Sequence, residues 1–174
     1  MLKIMRRGHN RKQTYRILDQ IRTKVPGITL RTTLLVGHPG EGDREFSELL
    51  EFVREARFDR LGVFTYSEEE GTHSARTQQD TIPERVKQER AEEIMRLQQE
   101  ISYRKNRQKV GQTIPVLLDS ADDEYFYGRS EADAPEVDNG VLISRTGHPG
   151  LQIGEFYKAT ITEATDFDLY GTVR

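Results

Sequence analysis

The chain has 174 residues and a formal net charge of −3, so it is long enough for one ordinary domain or two small ones, each with its own hydrophobic core. Hydrophobic residues make up 34% and charged residues 32%, and no apolar run approaches the roughly 18 residues of a helical membrane span, which excludes such spans. Cysteine is absent, which excludes disulfides and thiolate ligands, and without a secretory signal pattern the sequence predicts a cytoplasmic protein.

The first part of the chain alternates helical and strand patterns. In residues 11–25, Tyr15, Leu18 and Ile21 recur at near-helical spacing until Pro26-Gly27 stops the pattern. The elements predicted next are a buried strand over residues 28–36, a tight turn over 37–42, a helix over 46–56 and a strand over 61–66. This order is the βα pattern of a parallel sheet.

Two parallel strands alone do not make a stable sheet, because they need neighbours on both edges and helices over both faces. No strand pattern precedes the helix of residues 11–25. We therefore expect a larger barrel of which this chain is a C-terminal fragment.

The turn of residues 37–42 joins a strand to a helix, where α/β folds hold nucleotides against backbone N–H groups. It lacks the Gly-Lys-Ser/Thr ending of a phosphate loop, and Glu41 would repel a phosphate. Spacing alone favours a tight turn over a ligand loop.

Arg31 lies in the preceding apolar strand, where its guanidinium needs a partner. A bound carboxylate and an ion pair with a neighbouring acidic residue fit the sequence equally well.

A long helix is predicted over residues 83–110. Thr81-Ile-Pro-Glu84 has the form of a capping box with an early proline, and the charged stretch that follows would form a helix roughly 40 Å long. Its apolar positions form a narrow stripe, Val86, Ile94, Leu97 and Ile101, so most of the helix should face water. We expect this helix to connect two domains.

From Gly111 the hydrophobic period changes to two, which is typical of strands. The predicted strands are residues 114–119, 125–129, 141–144, 156–163 and 169–173. Five short strands in about 60 residues indicate a small closed antiparallel barrel of the OB-like kind, a module that usually binds rather than catalyses. The predicted domains are residues 1–82, 83–110 and 111–174.

Charge divides the chain at the same place. Residues 1–109 carry 22 Lys and Arg against 17 Asp and Glu, a net charge of +5, whereas residues 110–174 carry 4 against 12, a net charge of −8. This difference predicts different partners for the two regions. An acidic barrel would be repelled by a phosphate backbone.

The residues of this chain predict no catalytic group and no metal site. The four histidines, His9, His38, His73 and His148, lack the i, i+4 pairing of a metal-binding helix, and we interpret them as surface or turn residues. The acidic runs at residues 68–70 and 122–123 are interpreted as solvated charge.

Four segments in order carry a family resemblance. They are MLKIMRRGHNRKQTY, ITLRTTLLVGHPGEGDREFSELLEFV, RLGVFTYSEEEGTHSA and ERAEEIMRLQQEIS, the last followed by the pattern of a TRAM domain. Together they resemble the radical S-adenosylmethionine (SAM) methylthiotransferases, the MiaB/RimO family, along essentially all 174 residues. His38 stands where that family usually has Phe, and Gly42 where it usually has Thr, which affects local packing.

The resemblance implies an α/β region followed by an all-β one: the C-terminal part of a radical SAM (β/α) partial barrel, a linker helix and a five-stranded antiparallel TRAM barrel. It also implies SAM and two [4Fe-4S] clusters in the intact enzyme. This chain lacks the cysteines that ligate those clusters, so the fragment alone is predicted to be inactive. The SAM-binding candidates that the resemblance implies are Arg31, Thr33, Val36, Gly37, Phe64 and Arg7.

The segment GRSEADAPEVDNGVLI, residues 128–143, resembles the branch of the family that modifies an aspartate of small-subunit ribosomal protein twelve. For that basic protein, the implied docking residues are Glu131, Asp133, Glu136 and Asp138, whose alternative interpretation is a solvated loop. The missing N-terminal and radical SAM portions of the same enzyme are further expected partners, and neither membrane nor RNA is expected. Two alternatives stay open: a tRNA-modifying methylthiotransferase that contacts RNA through residues 1–109, and an RNA-binding TRAM module.

Overall fold

The order of helices and strands follows the sequence pattern, as seen in a computed structural model that describes residue 5 and residues 7–135, 138, 140–148 and 150–173. The first elements are α1 Arg11–Lys24, β1 Arg31–Val36, α2 Asp43–Ala56, β2 Arg60–Thr65, α3 His73–Thr77 and α4 Glu84–Arg107. The strands that follow are β3 Thr113–Ala121, β4 Tyr125–Arg129, β5 Val141–Ser144, β6 Phe156–Ala164 and β7 Leu169–Val173. The short helix α3 is the element that the sequence patterns missed. The chain divides into unit 1, Met1–Gln98, and unit 2, Gln99–Arg174.

Unit 1 contains the predicted parallel strand pair. β1 and β2 pair in register from Arg31 opposite Arg60 to Val36 opposite Thr65. The core of the unit includes four residues of the amphipathic helix α2 and residues of both strands: Phe46, Leu50, Val53, Ala56, Val36 and Leu61. The helical spacing of the α2 residues is the pattern from which this helix was predicted.

Helices α1 and α2 are joined by a mixture of charged and aromatic contacts. The Arg11 guanidinium donates to Glu51 at 2.9 Å, and the ring of Tyr15 meets the ring of Phe52 edge to face at 5.4 Å between centroids. Asn10 caps the first turn of α1 by accepting from the backbone N–H of Gln13 at 3.0 Å, which satisfies a donor that the helix start leaves free.

Helix α4 buries polar side chains along most of its inner stripe. Its buried residues are Lys87, Arg90, Ile94, Gln98, Ile101 and Asn106. The stripe predicted from apolar positions is therefore only half right, since Ile94 and Ile101 are buried whereas Val86 and Leu97 are partly exposed. None of the helices in the described part of the chain is both long and apolar enough to cross a bilayer.

Unit 2 is the predicted closed barrel, with one correction to its strand directions. The strands close in the order β3-β4-β5-β7-β6, and β5 runs parallel to β7 whereas the other neighbours are antiparallel. The fully antiparallel barrel expected from the sequence is wrong in this detail. A closed ring of five strands has an odd number of members, so directions cannot alternate all the way round.

The barrel interior is filled by apolar side chains from every strand. The buried cluster consists of Val116, Leu118, Phe126, Val141, Ile143, Ala159, Ile161, Ala164 and Leu169. At Gly128 a Cβ atom would lie 2.5 Å from Val116 Cγ1 and 2.7 Å from the backbone oxygen of Leu117. Only glycine fits this close approach of β4 to β3.

Candidate functional site

Three of the SAM-binding candidates lie together on one exposed face of the β1–β2 sheet. Alternate residues of a strand point to the same side, and the register places Thr33 opposite Gly62 and Leu35 opposite Phe64. Arg31 and Thr33 are exposed, and Phe64 is 66% exposed. Because Arg31 is exposed, the desolvation cost that its apolar strand suggested does not arise here.

Val36 and Gly37 are placed differently from the other candidates. The side chain of Val36 is fully buried, on the opposite side of the sheet from Thr33. Gly37 is also buried, and its backbone N–H donates to Glu41 Oε1 at 2.9 Å. Any contact of these two residues with a ligand would have to use the backbone. Arg7 is exposed and precedes α1.

The turn of residues 37–42 contains a buried carboxylate, Glu41, that already accepts a hydrogen bond from the backbone of the turn. The Glu41 side chain is 4% exposed and takes the amide hydrogen of Gly37 that a phosphate would need. Gly37 has φ of 75°, which favours glycine, and a Cβ there would lie 2.4 Å from Lys87 Cγ. The geometry favours a closed tight turn over a phosphate loop.

A cation of α4, Arg90, holds this turn. Arg90 donates to Glu41 Oε1 at 2.9 Å and to the Glu41 backbone oxygen at 3.0 Å, and its second terminal nitrogen reaches Asp43 at 3.1 Å. A buried carboxylate of this kind is tolerated only when it is paired and hydrogen-bonded. The turn at the end of β1 is therefore fixed by a helix that follows it by more than forty positions.

Lys87 forms the second buried contact of α4. Its ammonium group donates to Asp80 Oδ2 at 2.6 Å and to the backbone oxygen of Tyr66 at 3.0 Å. Burial acts to lower the pKa of Lys87, but the hydrogen bond and charge of Asp80, with a smaller effect of Glu84, raise the pKa above its ordinary value. Lys87 is therefore held as a cation.

Sequence reasoning missed both cations because it counted only apolar positions. Residues 87, 90, 94, 98 and 101 recur at helical spacing, so the signal exists once polar side chains are allowed into the inner stripe.

His38 is buried rather than on the surface, with 4% of its area exposed. Its Nδ1 lies 2.9 Å from the backbone oxygen of Pro39, which can only accept, so Nδ1 carries the hydrogen. Nε2 is then the acceptor for the Ser74 hydroxyl at 3.0 Å. The ring also packs edge to face on Tyr66 at 5.0 Å. His38 keeps the aromatic packing of a Phe at this position and adds a hydrogen bond to α3.

Two of the docking candidates stabilise the loop between β4 and β5. Asp133 accepts from the backbone N–H and hydroxyl of Ser130 at 3.1 and 2.6 Å, and Asp138 accepts from the N–H of Ala134 at 2.7 Å. Glu131 is exposed. Glu136 lies outside the described residues. Asp133 and Asp138 thus have a structural role in a turn, which the solvated-loop interpretation did not include.

A shallow depression of about 440 Å³ opens on the barrel beside Arg145 and His148. Its polar groups are already engaged. Arg145 donates to the Asp122 backbone oxygen at 2.6 Å and lies over the Phe126 ring at 5.2 Å, and both ring nitrogens of His148 lie within 2.9 Å of backbone oxygens. Within the described ranges, no three His, Asp or Glu side chains are grouped to hold a metal ion.

Comparison with known proteins identifies the barrel and the chain's relatives. Residues 110–173 match the TRAM domain family. The chain is 51% identical over 99% of its length to "Ribosomal protein uS12 methylthiotransferase RimO" of Bacteroides thetaiotaomicron, covering 39% of that protein. Proteins of the same name from Porphyromonas gingivalis, at 51% identity, and Cytophaga hutchinsonii, at 50%, match 99% of the chain, which covers 40% and 39% of them. The chain thus spans about two fifths of the length of the curated relatives it matches. These matches confirm the family resemblance that the motifs carried.

Proposed function

We propose that this chain is the C-terminal part of a radical SAM methylthiotransferase that adds a methylthio group to the β-carbon of an aspartate of ribosomal protein uS12. The observation that carries the proposal is the 51% identity, over 99% of the chain, to proteins named for that activity. The TRAM domain at residues 110–173 supports it, since the sequence motifs imply this domain at the end of such enzymes.

The exposed face of the β1–β2 sheet fits SAM. An exposed aromatic ring such as Phe64 can stack on an adenine, and Arg31, an exposed residue of the same face, has a guanidinium that can bind the carboxylate of the methionine part. Thr33 adds a hydroxyl on the same face. SAM, when bound, supplies the radical chemistry and the methyl group. The part played by this chain is to bind and orient it, with Val36, Gly37 and Arg7 as further candidates.

This chain does not fit the iron–sulfur clusters of the family. Cluster irons are held by cysteine thiolates, and the sequence contains no cysteine. The clusters would have to be supplied by other parts of the intact enzyme. We therefore expect this chain alone to be inactive.

The acidic barrel supports a basic protein as substrate. Residues 110–174 carry a net charge of −8, which attracts a basic protein and repels a phosphate backbone. Glu131, Asp133, Glu136 and Asp138 are the proposed docking carboxylates. The same charge disfavours an RNA-binding TRAM module. A tRNA-modifying enzyme that contacts RNA through residues 1–109 is tested by the substrate assay below.

A chimeric enzyme tests the proposal. The segment of the Bacteroides thetaiotaomicron relative that matches this chain is replaced by it, and methylthiolation of uS12 and of tRNA is followed by mass spectrometry. We expect modified uS12 from the chimera and none from the chain alone. Modified tRNA with unmodified uS12 would overturn the proposed substrate.

Calorimetric titration of SAM into the chimera tests the sheet face separately. We expect Arg31→Ala and Phe64→Ala each to weaken SAM binding by about tenfold or more, because each removes a charged or stacking contact. Arg44→Ala is the matched control, since Arg44 is an exposed arginine of α2 whose side chain is 85% exposed. Equal affinity in all variants would exclude this face as the SAM site.

A further inference from the structure

A face of the barrel outside the docking loop carries three tyrosines. Across β4, β5 and β7, Tyr127 lies opposite Leu142 and Leu142 opposite Tyr170. Tyr125 lies one row away, and its ring meets that of Tyr170 edge to face at 6.1 Å. All four side chains are partly exposed and stand outside the buried cluster of the barrel. We call this set of four residues the tyrosine face.

Carboxylates surround the tyrosine face. Asp122 accepts a hydrogen bond from the Tyr127 hydroxyl at 2.6 Å. On the opposite side, Glu163 of β6 lies directly across from Tyr170 and is exposed. Glu124, also exposed, precedes Tyr125 and is close enough for its charge to act on Tyr127. The aromatic rings therefore lie between negative groups on two sides.

The hydrogen bond from Tyr127 keeps the carboxylate charged. Together with bonds from the backbone of Tyr125 and Glu124, it lowers the pKa of Asp122 below its ordinary value. The same bond raises the pKa of Tyr127. The phenol is thus neutral and the carboxylate negative at physiological pH.

The arginines near the tyrosine face, Arg129 and Arg145, contact other groups. Arg129 forms an ion pair with Asp119 at 3.1 Å, and Arg145 is bound to the backbone of residue 122 and to the Phe126 ring. Among the described residues, neither arginine forms an ion pair with Glu124 or Glu163. The face therefore presents aromatic rings and negative charge to solvent.

We propose that the tyrosine face binds lysine or arginine side chains of a basic peptide segment. A cation over an aromatic ring and beside a carboxylate gains from both contacts, and tyrosine and arginine are enriched among the residues that contribute most to binding at protein interfaces. The assignment of the peptide to uS12 rests on the proposed function. The preference of the face for cationic side chains does not depend on that function. RNA bases also stack on tyrosines, but the surrounding carboxylates repel the phosphates.

Binding titrations on the full chain test the proposal. The probes are purified uS12, a short alternating arginine–glycine peptide and a single-stranded RNA oligonucleotide, each labelled for fluorescence anisotropy at physiological salt. The variants are Tyr170→Ala and the double variant Glu124→Gln with Glu163→Gln, which removes charge without changing size. Phe156→Ala is the control, because Phe156 is an aromatic of the same barrel, 72% exposed and outside the tyrosine face.

We expect uS12 and the peptide to bind, with about tenfold weaker binding in each variant and unchanged binding in the control. If uS12 binds equally well to all variants, this proposal is overturned and the proposed function stands. If only the peptide binds, and needs Tyr170, the proposal is supported and the proposed function is not. The proposal is also overturned if RNA binds and its binding needs Tyr170. It is likewise overturned if none of the three probes binds.

Discussion

Both units bury apolar residues, but among the described residues only unit 1 buries charged ones. Unit 1 encloses charged groups at the end of its sheet, where Arg90 meets Glu41 and Lys87 meets Asp80. The buried cluster of the barrel is made of apolar residues such as Leu118 and Ile143. Apolar burial is not directional, whereas a buried ion pair fixes its partners in one geometry. Unit 1 therefore has the means to position a turn, and unit 2 the means to close a barrel.

This difference implies different responses to substitution. A buried charge that loses its partner is left with an uncompensated desolvation cost, whereas a truncated core residue leaves a cavity. Peptide-resolved hydrogen exchange separates the two units, because it measures the free energy of opening for each segment.

The largest effect is expected at Arg90. Arg90→Met leaves the Glu41 carboxylate buried without its cation and should destabilise unit 1 by about 3–5 kcal/mol. Hydrogen exchange of residues 37–50 should rise accordingly. Arg85→Met on the same helix is the control, because the Arg85 side chain is 80% exposed, and it should cost less than about 0.5 kcal/mol. Equal effects of the two would show that the buried pair contributes nothing special.

A core truncation in the barrel should have a slightly smaller effect, confined to unit 2. Leu118 is fully buried, and Leu118→Ala should lower the free energy of unfolding by about 2–4 kcal/mol through lost burial and a cavity. Its neighbour Leu117 is only partly buried on the outer side, so Leu117→Ala should cost clearly less. Exchange of unit 1 should not change in either variant, and a change there would contradict the separation of the two units.

Alanine substitutions at Gly37 and Gly27 distinguish the cost of a left-handed backbone from the cost of a steric clash. Gly37→Ala should destabilise unit 1 by about 2–3 kcal/mol, because the methyl group meets both a left-handed backbone and the stem of Lys87. Gly27 has a similar φ of 80° but nothing within 4 Å of an added Cβ, so Gly27→Ala should cost only about 1 kcal/mol. The free energies of unfolding are measured with urea. Equal losses in the two variants would mean that the Lys87 side chain moves aside to accommodate the methyl group.

The smallest effect is a dependence on alkaline pH. The pKa of Lys87 is raised in the folded chain, so its contribution to stability is complete below the ordinary lysine value of 10.5 and is lost as the pH rises past it. Urea unfolding of wild type and Lys87→Met between about pH 9 and about pH 12 should give curves that converge at high pH. A constant difference between them would refute the assignment.

The sequence was informative where pattern alone determines structure. The barrel strands β4, β5 and β7 end at the predicted residues because their inward positions are consistently apolar. The odd strand number alone implies that at least one neighbouring pair runs parallel, but that this pair is β5 and β7 required the structure. The contacts of Lys87, Arg90 and His38 could not, because they join polar residues far apart in sequence. For the candidate site, the predicted strands place Arg31, Thr33 and Phe64 on one sheet, and strand alternation already puts Val36 on the face opposite Thr33. Which of the two faces is exposed required the structure.

The position of β7 between β5 and β6 has a consequence for synthesis of the protein. As the chain emerges during translation, β3, β4 and β5 appear before β6 and β7, and a sheet made of these three strands alone would have unpaired backbone groups at both edges. The β5 edge gains its neighbour only when residues 169–173 have left the exit tunnel. Until then the nascent chain exposes an edge prone to mispairing, so the time between synthesis of β5 and synthesis of β7 determines how long this edge is vulnerable.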